Sequence, residues 1–307
     1  MNDALTLAPV IAALLLAPLF KGVINRAKAL VAGRTGQPLL QGYHDLAKLL
    51  GKGAVYSTPT PWVFRAGPVV GCAAAAGMLA LTPSAGLPAP VRFTGDLVLW
   101  VYLAALGRFF TVLAALDTGS SFEGMGASRE VFYGALAELP LVTGLLALAH
   151  FTRSLSLSGI LGAITPALWA SAAPALVLVA AALAVVVLAE NARVPVDDPS
   201  THLELTMIHE VMVLDHSGPD LALIEYGAAL KLWAFAALLA GVAVPVRTGS
   251  PAVDAAAFAG GMALAAVGIG LVESLMARLR LTRVPHLLAG AFIFSLLALL
   301  IDAQVLR

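Results

Sequence analysis

Arg108, Glu130, Glu138, Glu225 and Lys231 are ionisable residues set in or at the edge of apolar runs, and the stretch Glu190 to Asp220 holds seven of the chain's eighteen acidic residues. An ionisable side chain at the centre of a membrane helix costs roughly 2.5–3.5 kcal/mol on insertion scales. Arg108, Glu138, Glu225 and Lys231 together therefore ask for on the order of 10 kcal/mol unless they are paired or hydrated, which rivals the net stability of a whole domain. Desolvation raises the pKa of a carboxylate and lowers that of a lysine, the condition for exchanging protons near neutral pH. A line of such groups separated by water would make a proton relay. Glu130 and Glu138 are eight residues apart, about 80° past two helical turns, so they can share one broad face. Placement near a span end accounts equally well for Glu130 and for Glu273.

Other chemistries fit less well. HEVMVLDH places His209 and His216 seven residues apart, whereas the paired-histidine zinc motif needs four; with His202 they read more simply as solvated residues. His150 and His286 fall at span ends, a poor arrangement for axial haem ligands. A lone cysteine, Cys72, can form neither an internal disulfide nor a cysteine-ligated cluster. Neither a glycine-rich phosphate loop nor a nucleophile elbow is present.

The elements that must hold these residues are membrane helices. Hydrophobic residues make up 60% of the chain and charged ones 12%, far from the roughly 25% charge of soluble domains. Formal net charge is zero, so no basic field points to nucleic acid. A hydrocarbon core needs about 20 apolar residues per helix. That window predicts an all-α, polytopic bundle with eight spans near 4–20, 62–82, 97–116, 131–151, 166–189, 221–246, 253–273 and 286–306. The first is expected to be a retained span, since no basic segment precedes it. Residues 38–56 space Leu46, Leu49 and Leu50 at helical intervals around Lys48 and Lys52 and predict an amphipathic interfacial helix. Glycines 119, 124 and 126 are expected to loosen the backbone ahead of span four, and 153–165 reads as a short external helix or loop.

Loops after spans one, three, five and seven contain eleven lysines and arginines, and the alternate loops only Arg92, Arg153 and Arg247. By the positive-inside rule the first set is cytoplasmic and both termini lie outside. One membrane domain, 1–307, is then expected, with cytoplasmic loops 21–61 and 190–220 available for docking.

AENARVPVDDP (189–199), followed by Glu204-Leu205, Ser217-Gly218 and Glu225-Tyr226, resembles the long loop of the H-type membrane subunit of respiratory complex I, AETNRAPFDLPE…EL…SG…EY. GRTGQPLLQGYHDLAKLL (33–50) and SREVFYG (128–134) resemble further segments of that family. The run from Glu190 to Glu210 is most similar to the branch found in energy-converting, group-4 nickel–iron hydrogenases such as formate hydrogenlyase. His202 and Asp198 depart from the complex I pattern.

This resemblance implies a non-catalytic membrane subunit of a multisubunit redox complex, linking electron transfer in a peripheral arm to proton or sodium translocation in a bacterial or archaeal inner membrane. It extends the coupling set to Glu130, Glu138, Asp197, Glu204, Glu210, Glu225 and Lys231, and assigns Glu190, Arg193, Asp198, Arg34 and Asp45 to arm docking. Cofactors are expected only in partners: iron–sulfur clusters and a nickel–iron centre in hydrogenase-like large and small subunits and iron–sulfur subunits, beside antiporter-like membrane subunits. A quinone-chamber subunit of a complex I-type dehydrogenase is the alternative, and a standalone ion-coupled transporter is a reading of another class.

Overall fold

The computed structural model describes residues 3–58, 60–198 and 206–305. Among them are ten α-helices: α1 (Asp3–Val31), α2 (Gln41–Leu50), α3 (Trp62–Leu81), α4 (Asp96–Asp117), α5 (Ser121–Thr152), α6 (Leu157–Ala163), α7 (Pro166–Glu190), α8 (Gly218–Ala243), α9 (Pro251–Leu275) and α10 (Val284–Val305). Eight are long and apolar enough to cross a membrane, in the places the hydropathy window predicts. The short helices α2 and α6 fall within 38–56 and 153–165, where short helices were expected between spans.

Two spans are longer than expected, and both extensions matter to the site. α1 continues through Lys21, Asn25 and Lys28 because no proline follows Pro18 within it and the isolated Gly22 is tolerated within a helix; Gly33 takes a positive φ of 65° just past its end. At 1.5 Å per residue this helix is about 43 Å long, more than the ~30 Å hydrocarbon core requires. Its basic end therefore runs on as helix where a basic loop was expected. α5 likewise begins at Ser121, so Gly124 and Gly126 are helical rather than loosened. Gly126 serves close packing instead: a Cβ there would lie 2.3 Å from Val211 Cγ1 and 3.0 Å from the Ile208 carbonyl oxygen.

α8 forms the centre, with Leu230 and the run Leu232–Leu238 buried against α3, α7 and α9. α7, apolar on every side, packs against α5, α8 and α10 and still leaves Val177 53% exposed, as a span facing hydrocarbon can. It starts on Pro166 after Thr165, whose hydroxyl accepts from the Leu168 amide at 3.3 Å, and it bends at Ala172 just before Pro174, whose ring cannot continue the hydrogen-bond ladder. α2 lies against α1 and α8 with none of its residues fully buried. Its approach depends on Gly22 of α1, where a Cβ would collide with the Leu39 carbonyl. At the opposite end of the bundle, buried Asp96 accepts from the Leu157 amide at 2.6 Å and the Ser156 hydroxyl at 2.7 Å, fixing α6 across α4.

Candidate functional site: a buried ladder of alternating charge

The membrane-embedded charges meet in one network at the end of the bundle that carries the 191–217 loop. Arg108 of α4 is its hub. Its guanidinium lies 2.7 Å from Glu138 and 3.4 Å from Glu130, both on α5, and 2.5 Å from Glu190 at the last turn of α7. The eight-residue spacing of Glu130 and Glu138 puts both on the face that meets Arg108. Gly134 lies between them, and a Cβ there would sit 2.6–2.8 Å from the guanidinium atoms, so only glycine leaves the space.

From Arg108 the network extends both ways. Lys231 of α8 reaches the second oxygen of Glu190 at 2.8 Å. On the other side His209, in the loop before α8, places Nε2 3.1 Å from Glu130 and Nδ1 3.1 Å from Asp197. Asp197 in turn lies 3.0 Å from Arg278, in the turn after α9, and accepts backbone amides from Ile208 at 3.2 Å and His209 at 3.0 Å. The order Lys231, Glu190, Arg108, Glu130, His209, Asp197, Arg278 alternates in sign whenever His209 is protonated. Buried charge is tolerated when each group has an opposite partner and its remaining hydrogen bonds are met.

Burial by itself would depress His209; Glu130, followed by the hydrogen bond and charge of Asp197, outweighs it and holds the imidazole above its ordinary value, with Lys231 opposing. Burial pushes Asp197 the other way, upward, but the hydrogen bond, charge and amide of His209 and the charge of Arg278 bring it below the usual carboxylate range. Each shift favours the charged pair.

Beside the ladder lies a cavity of about 230 Å³. Arg108, Glu130, Glu190, His209, Glu225 and Lys231 line its polar side, and glycines and alanines of α3 its apolar side. Glu225 is half-exposed and paired with Lys21 of α1 at 2.6 Å, so the cavity joins this pair to the ladder. The site thus supplies fixed charges, titratable groups and room for water, the components of a proton path.

The expected coupling residues Glu130, Glu138, Asp197 and Lys231 are joined directly, and Glu225 and Glu210 line the shared cavity. Glu204 lies outside the described residues. The docking set divides. Arg34 and Asp45 are exposed, Asp45 held by Gln41 at 2.9 Å, and Asp198 follows the buried Asp197 at the loop surface. Glu190 and Arg193 are instead 4% and 5% exposed. Glu190 joins the ladder, and Arg193 pairs at 3.3 Å with Glu273 of α9, which also meets Lys28 at 2.8 Å. A loop motif rich in charge does not reveal which of its residues fold inward, and these two anchor the loop to the bundle. Sequence reasoning passed over His209 as a coupling group, together with Arg278, Lys21 and Lys28. Their partners lie 12 to 245 positions away in the chain, and periodicity carries no signal of such pairs.

Fold and site define a class: a multi-pass helical membrane protein whose interior charge network reaches a surface loop. The chain belongs to the NADH dehydrogenase family, whose model matches residues 4–303, and within it to the subunit 1 or H-type group. It is 33% identical to formate hydrogenlyase subunit 4 of Escherichia coli K12, over 95% of this chain and 97% of that protein. Identity to hydrogenase-4 component C of the same organism is also 33%, over 78% and 74% of the two chains. A chain in the structure of the membrane-bound sulfane sulfur reductase, an archaeal respiratory membrane complex, superposes with a TM-score of 0.82 at 21% identity, covering 98% of this chain and 100% of that one. The kinship expected from the ENARVPVDDP loop is borne out, and with it a membrane subunit of an energy-converting complex.

Proposed function

We propose that this chain is the membrane-anchoring and coupling subunit of a group-4 hydrogenase of the formate hydrogenlyase type, linking electron transfer in a peripheral arm to proton translocation. The observation that carries this reading is the ladder, which runs from loop residues Asp197 and His209 to Glu138 and Lys231 within the membrane helices. Similarity to formate hydrogenlyase subunit 4 and hydrogenase-4 component C, at 33% identity each, supports the hydrogenase assignment.

In this reading the loops 21–61 and 191–217 face the cytoplasm with both termini outside, as the distribution of lysines and arginines favours. Hydrogenase-like large and small subunits and iron–sulfur subunits dock there and hold the nickel–iron centre and the clusters. Antiporter-like subunits lie alongside in the bilayer. This chain holds charge and water in the right places, and redox chemistry occurs on the partners.

Affinity purification of the chain from its native membrane, with metal analysis and reconstitution into proteoliposomes, tests the assignment. The expected result is co-purification of nickel and iron–sulfur chains and acidification driven by turnover. A monomer that transports an ion alone would overturn it, and a nickel-free complex inhibited by quinone-site ligands would replace it with the quinone-linked alternative.

A further inference from the structure

Within the ladder the links Lys231–Glu190, Glu190–Arg108 and Arg108–Glu130 lie among α4, α5, α7 and α8, whereas Asp197–Arg278 lies wholly among surface turns. His209 is the joint between these two parts, one ring nitrogen on each carboxylate. It is also the one member of the seven whose ordinary titration falls near neutral pH. Its side chain is 23% exposed and lines the 230 Å³ cavity, so water can reach it.

We propose that His209 is the group that passes protons between the Asp197 loop and the membrane ladder, taking a proton at Nδ1 and releasing one at Nε2 to Glu130. This inference rests on the coupling role proposed above. In the transfer, protonated Asp197 gives up its O–H proton and an N–H bond forms at Nδ1. The Nε2–H bond then breaks and an O–H bond forms on Glu130. One proton has moved from Asp197 to Glu130 and the ring is left neutral with hydrogen on Nδ1; water in the cavity that the ring lines then gives a proton to Nε2 and takes the one on Nδ1, which restores the starting tautomer. Two nitrogens on opposite edges of one ring suit this task, as no single lysine or carboxylate would.

The surrounding charges set when the ring can act. Glu130 of α5 and Asp197 favour the imidazolium, and Lys231 of α8 opposes it. Arg108 of α4 and Arg278 draw on the same two carboxylates from their far sides, as Glu190 of α7 does on Arg108 and Lys231. Arg129 of α5 holds the Met207 carbonyl at 2.9 Å, keeping the His209 segment in place, and Glu210 lines the cavity next to it. With His209 charged, the eight groups Arg108, Lys231, Arg278, His209, Glu130, Glu138, Glu190 and Asp197 balance at four of each sign. Loss of its proton leaves one uncompensated negative charge, which calls the next proton in.

The experiment is performed on the whole complex in proteoliposomes, reading protons translocated per turnover against pH. The parent should hold a constant ratio at lower pH and lose it on the alkaline side, by about tenfold per pH unit once the imidazolium is the minor form. His209→Gln should lower the ratio at least about tenfold and abolish that limb. His209→Arg offers donors to both carboxylates and so restores loop attachment, but it cannot give up its proton; its ratio should remain as low. A parental ratio in either variant overturns the relay, and in the arginine variant it reduces His209 to a charged bridge. Should His209→Gln complexes fail to accumulate, Asp197→Asn carries the test, with loss of translocation expected and an unchanged ratio overturning the proposal. A parent complex that translocates nothing would instead overturn the coupling role itself, a distinct result.

Discussion

Replacing Arg108 by glutamine removes the one cation that three carboxylates share, and the structure sets the size of the effect. The Arg108 side chain is 10% exposed and its partners Glu130, Glu138 and Glu190 are 7%, 36% and 2% exposed. Breaking a buried ion pair by removing one partner costs about 3–5 kcal/mol. Three pairs do not triple that figure, because Glu190 keeps Lys231 and Glu130 keeps His209. Only Glu138 is stranded, and it is the most exposed of the three. The expectation is therefore the lower end of the range, about 3 kcal/mol. Arg108→Lys should lose roughly 1–2 kcal/mol, since one ammonium cannot hold three carboxylates arranged for a fork. Adding Glu138→Gln to the glutamine variant removes the stranded charge and should recover part of the loss. Thermal unfolding of the detergent-solubilised protein reads these differences as melting shifts. A glutamine variant within about 0.5 kcal/mol of the parent would refute the hub, because that is the range of substitutions touching no buried feature.

Other consequences concern the carboxylates and the loop. Glu130→Gln and Glu225→Gln should each leave the complex assembled, since an amide fills the same space, yet lower ion translocation per turnover; reconstituted complexes with unchanged translocation would remove that residue from the path. Gly126→Leu should drive Val211 and Ile208 away from α5, costing roughly 1–3 kcal/mol as overpacking does. Protease cleavage within 206–217 would report it. The pH dependence of loop attachment follows from two opposite shifts. His209 is raised, so its contribution is complete below its ordinary value of about 6.5 and is lost as pH rises through the higher folded value. Asp197 is lowered, so its contribution is complete above about 3.9 and is lost as pH falls through the lower folded value. Hydrogen exchange of the 206–217 amides should be slowest between those limits and accelerate beyond both.

Much of the fold could be read from the chain because a bilayer imposes a single simple demand. Every crossing needs a long apolar helix, and eight such runs stand out between polar turns. The amphipathic α2 announced itself by its leucine spacing, and the loop motif by its similarity to a known family. Glu130 and Glu138 could be placed on one face from helical geometry alone. Helix ends were harder, since α1 and α5 run past the hydrocarbon thickness into polar sequence that composition reads as loop.

Which charge pairs with which was decided only by tertiary structure. Arg108 meets Glu190 across 82 positions and Lys21 meets Glu225 across 204, and no local pattern encodes such contacts. The same packing turned Arg193 inward to Glu273 and brought His209 between two carboxylates. By itself the sequence determined that buried charges exist and must be compensated, because hydrocarbon leaves them no alternative. Helix packing, through the space left at Gly134 and Gly126, decided that the compensation takes the form of one alternating ladder ending at a loop histidine.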